Sequence, residues 1–158
     1  MIVIRPIGLR DAPAFRAFVQ GLSPESRYER FQYVVKEVSP QLLRLLLAAD
    51  PRSHVALAAF AGDEVVGEAR FVREGEGAEF AIAVADAWRR RGVGKRLLHA
   101  LLGYARRHGV KRIDGAVLAW NQAMLGFVAQ QGFRVRSHPG DARLVRVELT
   151  LQMGSVPI

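Results

Sequence analysis

The sequence predicts an α/β domain, of α+β arrangement, in which helices flank a mixed and mostly antiparallel central sheet. Three observations support this class. Strand-like and helical segments alternate along the chain, its middle contains three strand-like segments separated by short turns, and helices separate the strand-like segments that follow. Short turns predict antiparallel neighbours, whereas a helical crossover predicts a parallel pair. With 158 residues, the chain is expected to form one domain over 1–158.

The first third of the chain contains one predicted strand and three predicted helices. Residues 2–6 form the strand, and apolar residues at helical spacing indicate a helix over 9–22. Two more helices begin at the Ser-Pro pairs 23–24 and 39–40, because serine accepts a hydrogen bond from a free amide and proline has no amide hydrogen to leave unpaired. The Asp-Pro pair at 50–51 ends the last of them.

The middle of the chain predicts an antiparallel meander. Apolar, β-branched segments occupy residues 55–60, 65–72 and 79–84. Turn residues at 62–63 and the glycine-rich stretch 75–77 separate them at hairpin spacing. These three strands are therefore expected to be neighbours in the sheet.

Helices and strands alternate in the last third. A helix is predicted over about 92–108, because its apolar residues recur on one stripe, and a strand over 113–118. A second helix runs from Asn121 to about Gln131, and a strand opens with Phe133. The segment 144–149 alternates apolar and charged residues and is expected to close the sheet.

A basic turn that contains two glycines joins the 79–84 strand to the 92–108 helix. It consists of Arg89, Arg90, Arg91, Gly92, Val93, Gly94 and Lys95. The first amides of a helix have no partners within the helix and carry the positive end of its dipole, so phosphate oxygens can bind there. The turn is not a P-loop, because Arg96 follows the lysine, and it is not a dinucleotide fingerprint, because Leu97 replaces the third glycine.

The amino-acid composition limits the kinds of ligand and partner that the chain is expected to bind. Lysine and arginine number 23 against 15 acidic residues, a net charge of +8 that predicts an anionic partner. The absence of cysteine excludes thiolate nucleophiles, and the four histidines lack metal-ligand spacing, so no metal is expected. Nucleic acid is disfavoured because no binding motif is present. No apolar stretch is long enough to span a membrane and no leader pattern is seen, so a cytoplasmic protein without a membrane partner is expected.

With these features in place, the sequence resembles the GNAT family of N-acetyltransferases. The order of elements is similar over nearly the whole chain, the turn 89–94 is similar to the family's pyrophosphate-binding loop, and Asn121 followed by Gly132 and Phe133 is similar to its N-(x)n-G-F ending. A narrower resemblance, to the acetyltransferase domain of bacterial protein-lysine acetyltransferases, is based on three segments: 26–31, 78–86 and 121–124. That domain is often fused to others, and this chain is expected to contain the acetyltransferase part alone.

The resemblance implies an acetyl-CoA-dependent N-acetyltransferase with a V-shaped opening between its fourth and fifth strands. Acetyl-CoA is the implied co-substrate, with its pantetheine along the strand near Val84 and its diphosphate on the amides of residues 89–95. Asn121 is implied as a further cofactor-binding residue. The backbone amide of Val84 is implied to stabilise the oxyanion, and a single donor of this kind can contribute ~3 kcal/mol.

Acetyl transfer to an amine needs a base, because a lysine with a pKa of ~10.4 is almost wholly protonated at pH 7. Glu79 is the predicted general base, since it begins the strand that ends beside the basic turn and its position is similar to that of the subgroup's base. A solvated carboxylate at a strand end is the alternative. The tyrosine that many members use as general acid is replaced by Val128. Tyr104 is a conceivable substitute, although a packing or surface role is favoured for it.

The predicted reaction is direct attack of a primary amine on acetyl-CoA, with a protein lysine favoured as acceptor. Residues 23–36, expected to line the acceptor groove, contain three basic and two acidic side chains. This net charge of +1 would repel a polycation and suits a lysine flanked by acidic residues. Two alternatives stay open: a small-molecule amine as acceptor, and a CoA-binding module without catalysis. A homodimer is one option for the oligomeric state.

Overall fold

Seven strands form one sheet in the part of the chain that the structure, a computed structural model, describes: residues 1–33, 35–48 and 50–151. In chain order these are β1 (Ile2–Pro6), β2 (His54–Ala61), β3 (Glu64–Glu74), β4 (Gly77–Val84), β5 (Arg112–Leu118), β6 (Arg134–Ser137) and β7 (Leu144–Thr150). Their spatial order is β1-β2-β3-β4-β5-β7-β6. Every neighbouring pair is antiparallel except β4 and β5, which are parallel. The predicted fold class is therefore confirmed.

Five α-helices lie within the same described ranges: α1 (Ala12–Gly21), α2 (Pro24–Phe31), α3 (Pro40–Leu47), α4 (Val93–Arg107) and α5 (Gln122–Gln130). The predicted serine caps are present, because Ser23 Oγ accepts from the Ser26 amide and Ser39 Oγ accepts from the Leu42 amide. The helix predicted from residue 9 begins instead as a 3₁₀ turn (Leu9–Asp11), since the Asp11 carboxylate accepts the Gly8 amide there. A second 3₁₀ turn (Asp86–Trp88) follows β4.

The helices cover the two faces of the sheet. One face packs against α4 and α5, and the apolar stripe of α4 is buried there: Val93, Leu97, Leu98, Leu101, Leu102 and Ala105. The other face packs against α1 and α3, with Phe15 and Phe18 in its core. The approach of α4 is close, since a Cβ on Gly67 of β3 would lie 2.8 Å from Leu97 Cδ1. A side chain at this glycine would therefore displace the helix.

The parallel strands β4 and β5 separate towards their carboxyl ends. They pair only where residues 77–79 face residues 112–114. Just beyond, the Phe80 ring lies against Gly115, where a Cβ would come within 2.5 Å of Phe80 Cε1. Glycine at 115 therefore leaves room for the ring beside β5. The result is a V-shaped opening between the two strands.

Candidate active site

The V-shaped opening belongs to a cavity of about 1190 Å³ that reaches both faces of the sheet. We call one part the loop end; it is lined by Val84, Trp88, Arg89, Arg90, Gly92, Val93, Gly94, Lys95, Asn121 and Phe127. We call the other part the groove end; it is lined by Phe31, Tyr33, Leu42, Leu45, Leu46, His54, Arg70, Val72, Glu74 and Glu79. One continuous space thus joins the basic turn to the predicted base.

Backbone amides at the start of α4 are available to a ligand. The first helical hydrogen bond is donated by the Arg96 amide to the Gly92 carbonyl at 3.1 Å, and within the described chain the amides of residues 90–95 have no backbone acceptor. Gly92 has a φ of 82°, a left-handed conformation that glycine adopts readily. Free amides at a helix N-terminus carry partial positive charge, so this turn can bind an anion such as a diphosphate.

The side chains of the basic turn point to different partners. Arg90 and Lys95 line the loop end of the cavity. Arg89 also lines it, but its guanidinium donates to Ser26 Oγ of α2 at 2.8 Å. The guanidinium of Arg91 lies 4.2 Å from the centre of the Trp88 ring. The structure thus brings the predicted residues together around the amides and uses Arg89 to hold α2 as well.

The backbone of β4 is open to the cavity at Val84. The Ala85 amide donates to the Val66 carbonyl of β3 at 2.8 Å. Because successive residues of a strand direct their backbone groups to opposite edges, Val84 and Ile82 direct theirs towards β5, where the strands have separated. The Val84 amide therefore lies at the gap, as an oxyanion donor would need to.

Asn121 lies at the β5 side of the gap. It caps α5, its Oδ1 accepting from the Met124 amide at 3.1 Å, and its Nδ2 donates to Glu29 Oε2 of α2 at 3.3 Å. Val128, which replaces the expected tyrosine, is fully buried in the core. Tyr104 stacks on His108 at the far end of α4, in a packing role, so it is not placed to act as the substitute acid.

Glu79 lies where β4 and β5 still pair. Its neighbours Ala78 and Phe80 belong to the core under α4, so its own side chain faces the opposite side, towards the groove end. That side chain is 52% exposed and accepts a hydrogen bond from Arg146 Nη1 of β7 at 3.1 Å. Glu79 precedes Val84 by five residues, about 16 Å along a strand. A reaction at Val84 that used Glu79 would therefore need water in the groove to connect the two.

The hydrogen bonds that hold α2 across the V-shaped opening were not predicted from the sequence. Ser26 Oγ donates to Asp86 beside β4 at 3.0 Å, and Gln32 Nε2 donates to the Ala116 carbonyl of β5 at 2.7 Å. Glu29 lies between these two anchors and contacts Asn121. Polar residues recurring every third position of α2 were the available signal, but their partners are 60 to 92 residues away in the sequence.

A buried ion-pair cluster beside the groove end was also missed. Glu68 of β3 is 1% exposed and binds two arginines, Arg30 of α2 and Arg70 of β3, the latter at 2.7 Å. Burial by itself would raise the pKa of Glu68, but the charges and hydrogen bonds of both arginines outweigh it and hold the pKa at about 2. The signal was a glutamate and an arginine two residues apart in the otherwise apolar stretch 65–72. With two arginines to one glutamate, the cluster carries a net charge of +1.

Replacing Glu68 by glutamine is expected to lower the free energy of unfolding at pH 7 by about 3 kcal/mol, because two buried guanidiniums lose their counter-charge. In the wild type the folded pKa of Glu68 is about 2, below its ordinary 4.5. Its stabilisation is therefore complete above pH 4.5 and is lost as the pH falls towards 2. Urea unfolding at pH 7 and from pH 5 to 2 measures both effects.

The exposed Glu64, at the start of the same strand, supplies the control for this measurement. Glu64→Gln is expected to retain the wild-type free energy of unfolding and its wild-type dependence on pH. Glu68→Gln is expected to lose less of its free energy of unfolding than the wild type as the pH falls below 4.5. Equal curves for the wild type and the Glu68 variant would contradict the role given to the cluster.

Residues 16–133 match the sequence profile of the acetyltransferase (GNAT) family, which covers more than half of the chain. The chain belongs to the acetyltransferase (GNAT) family. This confirms the predicted enzyme class, since GNAT proteins are acetyl-CoA-dependent N-acetyltransferases. In the described ranges no group of three or more metal-binding side chains is found, and no helix is both long and apolar enough to cross a membrane.

GNAT relatives of known name cover much of the chain. It is 31% identical over 157 residues to Acetyltransferase PA5475 of Pseudomonas aeruginosa, covering 95% of this chain and 84% of that protein. It is 39% identical over 107 residues to Acetyltransferase Pat of Mycolicibacterium smegmatis, covering 65% of this chain. That match covers 32% of Pat, so this chain aligns with about a third of that relative.

Solved structures of GNAT proteins superpose closely on the structure of this chain. The GNAT domain of S. lividans PAT has a TM-score of 0.89 at 30% identity, covering 94% of this chain and 89% of that one. Together with Pat, it confirms the predicted resemblance to bacterial protein acetyltransferase domains. PaiA N-acetyltransferase of Thermoplasma acidophilum, solved in complex with coenzyme A, has a TM-score of 0.77 at 18% identity, covering 96% and 99% of the two chains, and shows the same fold.

Proposed function

We propose that this protein transfers the acetyl group of acetyl-CoA to the ε-amine of a protein lysine by direct attack. The observation that carries the proposal is the single cavity with free amides at its loop end and the carboxylate of Glu79 at its groove end. Donor and acceptor can enter such a cavity from opposite faces of the sheet and meet at the gap between β4 and β5. The domain 1–158 is proposed to act as one unit.

The loop end fits acetyl-CoA. The amides of residues 90–95 would hold the diphosphate, and Gly94 leaves them uncovered by a side chain. Arg90 and Lys95 would add charge at the cavity wall, while Arg89 and Arg91 surround the turn. The free backbone edge of β4 at Val84 would pair with the pantetheine, and Asn121 would border its thiol end.

Glu79 is the proposed general base. A lysine ε-amine has a pKa of ~10.4, so its proton must be removed before it can attack. Water in the groove would pass this proton to Glu79, which Arg146 holds in place. The amine nitrogen then attacks the thioester carbon, the Val84 amide stabilises the oxyanion, and the bond to sulfur breaks to release CoA. Acetyl-CoA is an intracellular metabolite, so the proposal includes a cytoplasmic location.

The groove end favours a lysine with acidic neighbours. Glu79 offers a carboxylate to the ammonium, whereas the cluster of Arg30, Glu68 and Arg70 has an excess positive charge that suits a neighbouring carboxylate. Tyr33, Leu45 and Val72 expose apolar surface beside these charges, as expected where a polypeptide packs. A polycationic amine would meet the same positive charge and be disfavoured.

Incubation of the protein with acetyl-CoA and whole-cell lysate is expected to label proteins that a pan-acetyl-lysine antibody detects. A parallel panel of small amines, including polyamines and amino acids, is expected to release CoA more slowly. Omission of the enzyme controls for chemical acetylation. Rapid turnover of one small amine with no protein labelling above that background would contradict the lysine acceptor while leaving the acetyltransferase intact.

A further inference from the structure

We propose that Glu29 is a second catalytic carboxylate, which carries a proton from the amine nitrogen to the departing CoA sulfur at the gap between β4 and β5. This role builds on the proposed acetyl transfer and assigns to Glu29 the task that the missing tyrosine at Val128 leaves open. It is separate from the task of Glu79, which accepts the first proton from the incoming ammonium.

The position of Glu29 follows from the anchors of α2. Three residues before it, Ser26 is tied to the β4 side of the gap through Asp86 and Arg89. Three residues after it, Gln32 is tied to the β5 side through the Ala116 carbonyl. Ser26 and Glu29, three apart, share one face of α2, and Gln32 caps the end of that helix, so Glu29 faces the gap between these anchors. Its contact with Asn121, and its place in the cavity wall, confirm that direction.

The surroundings of Glu29 suit a group that both accepts and donates a proton. Burial raises the pKa of Glu29; Arg89 opposes this shift, and Glu25 and Asp86 reinforce it. The neutral amide of Asn121 is its hydrogen-bond partner, in contrast to Glu79, which binds an arginine. A carboxyl group whose pKa lies closer to the pH of the reaction accepts and donates a proton more readily.

The two carboxylates accept different protons during the reaction. The ammonium first loses a proton through groove water to Glu79 and then to solvent, and the neutral amine forms a bond to the thioester carbon. The nitrogen now carries a surplus proton, which ionised Glu29 accepts. As the carbon–sulfur bond breaks, Glu29 returns this proton to the thiolate. The products are the amide and the CoA thiol, and both carboxylates end ionised.

Acceptors that differ in charge separate these roles. The probes are a peptide with one lysine between glutamates and the same peptide with an aminooxy group in place of the lysine amine. The aminooxy group is uncharged at pH 7.5, so it does not need Glu79, but its nitrogen must still pass a proton to sulfur. CoA release from acetyl-CoA is measured with a thiol reagent for the wild type and for Glu29→Gln, Glu79→Gln and Glu76→Gln.

Glu29→Gln is expected to lower kcat at least 100-fold with both peptides. Glu79→Gln is expected to have a strongly lowered kcat with the lysine peptide. With the aminooxy peptide, its kcat is expected to lie within about tenfold of the wild-type value. Glu76→Gln, in the exposed turn between β3 and β4 where Glu76 pairs with Lys111, is expected to keep wild-type rates. Wild-type rates for the Glu29 variant, or its recovery with the aminooxy peptide, would overturn the role. A wild type that turns over neither peptide would overturn the lysine acceptor and this role together.

A readout without turnover accompanies these rates. In protein labelled with ¹³C at glutamate carboxyls, the signal missing from Glu29→Gln identifies this side chain, and its titration midpoint is expected above the ordinary value of 4.5. Calorimetry is expected to show that the same variant binds acetyl-CoA within about threefold of the wild type. An ordinary midpoint, or a large loss of acetyl-CoA affinity, would make Glu29 a surface or binding residue and overturn the proposal.

Discussion

Replacing Gly94 by leucine is expected to weaken acetyl-CoA binding about 1000-fold. A Cβ on Gly94 would lie 3.6 Å from Val84 Cγ2 and 3.8 Å from Phe127 Cζ, so the outer atoms of leucine must enter the cavity beside the free amides. The diphosphate would then lose at least two hydrogen bonds to these amides, each contributing ~1.5–3 kcal/mol because the acceptor is charged. A loss of about 4 kcal/mol corresponds to this factor. Isothermal titration calorimetry measures it.

Gly94→Ala is the matched control, because its single Cβ would lie at ordinary contact distances. The alanine variant is expected to bind acetyl-CoA within about threefold of the wild type, and both variants are expected to fold, since alanine and leucine favour helices over glycine. Unchanged affinity in the leucine variant, or equal binding of NAD and acetyl-CoA by the wild type, would contradict a diphosphate site at the start of α4.

Glu79→Gln is expected to lower kcat by ~10²- to 10⁴-fold and to leave acetyl-CoA affinity nearly unchanged. The amide cannot accept the proton of an incoming ammonium. The binding amides of residues 90–95 are remote from it, because they lie beyond Val84, which is itself about 16 Å from Glu79 along β4. Rates from pH 6 to 10 are expected to show that the deficit shrinks as the pH approaches the pKa of the lysine acceptor, ~10.4, because more amine is then neutral.

Glu76→Gln serves as the control for this substitution. Glu76 is an exposed carboxylate in the turn between β3 and β4 and pairs with Lys111 on the surface. Replacing this carboxylate by an amide is expected to change neither kcat nor the pH dependence of the rate. A Glu79 variant with wild-type rates and the wild-type profile would make Glu79 a surface residue and leave removal of the first proton to desolvation of the amine.

The fold could be predicted because its signals are local. Glycine turns between alternating apolar segments indicate hairpins at β2, β3 and β4, and Ser-Pro pairs indicate the starts of α2 and α3. Most boundaries moved by only a residue or two, and the start of α1 moved by three, from residue 9 to Ala12, where Asp11 is the N-cap of the helix. The free amides of residues 90–95 were predictable for the same reason, because they depend on the turn and the helix that contain them.

The parts of the site that could not be predicted depend on contacts between distant segments. Glu29 contacts Asn121 across 92 positions in the sequence, and Arg30 binds Glu68 across 38. The three-residue spacing of polar side chains around Glu29 indicates a shared face, but neither it nor the local sequence of Arg30 identifies a distant buried partner. The separation of β4 and β5 decides which residues of α2 face a cavity and which face the sheet.

The sequence by itself determined the order of the elements, and it predicted a phosphate-binding turn at the start of α4 and Glu79 as a candidate base. The first two follow from hydrogen bonding and side-chain alternation within short stretches of chain, and the choice of Glu79 also rests on the family resemblance. The tertiary structure alone decided that α2 crosses the V-shaped opening, that Glu79 is held by Arg146 away from the gap, and that Glu29 faces it. The physical reason is that burial and the charges of packed neighbours depend on which distant segments the sheet order brings together.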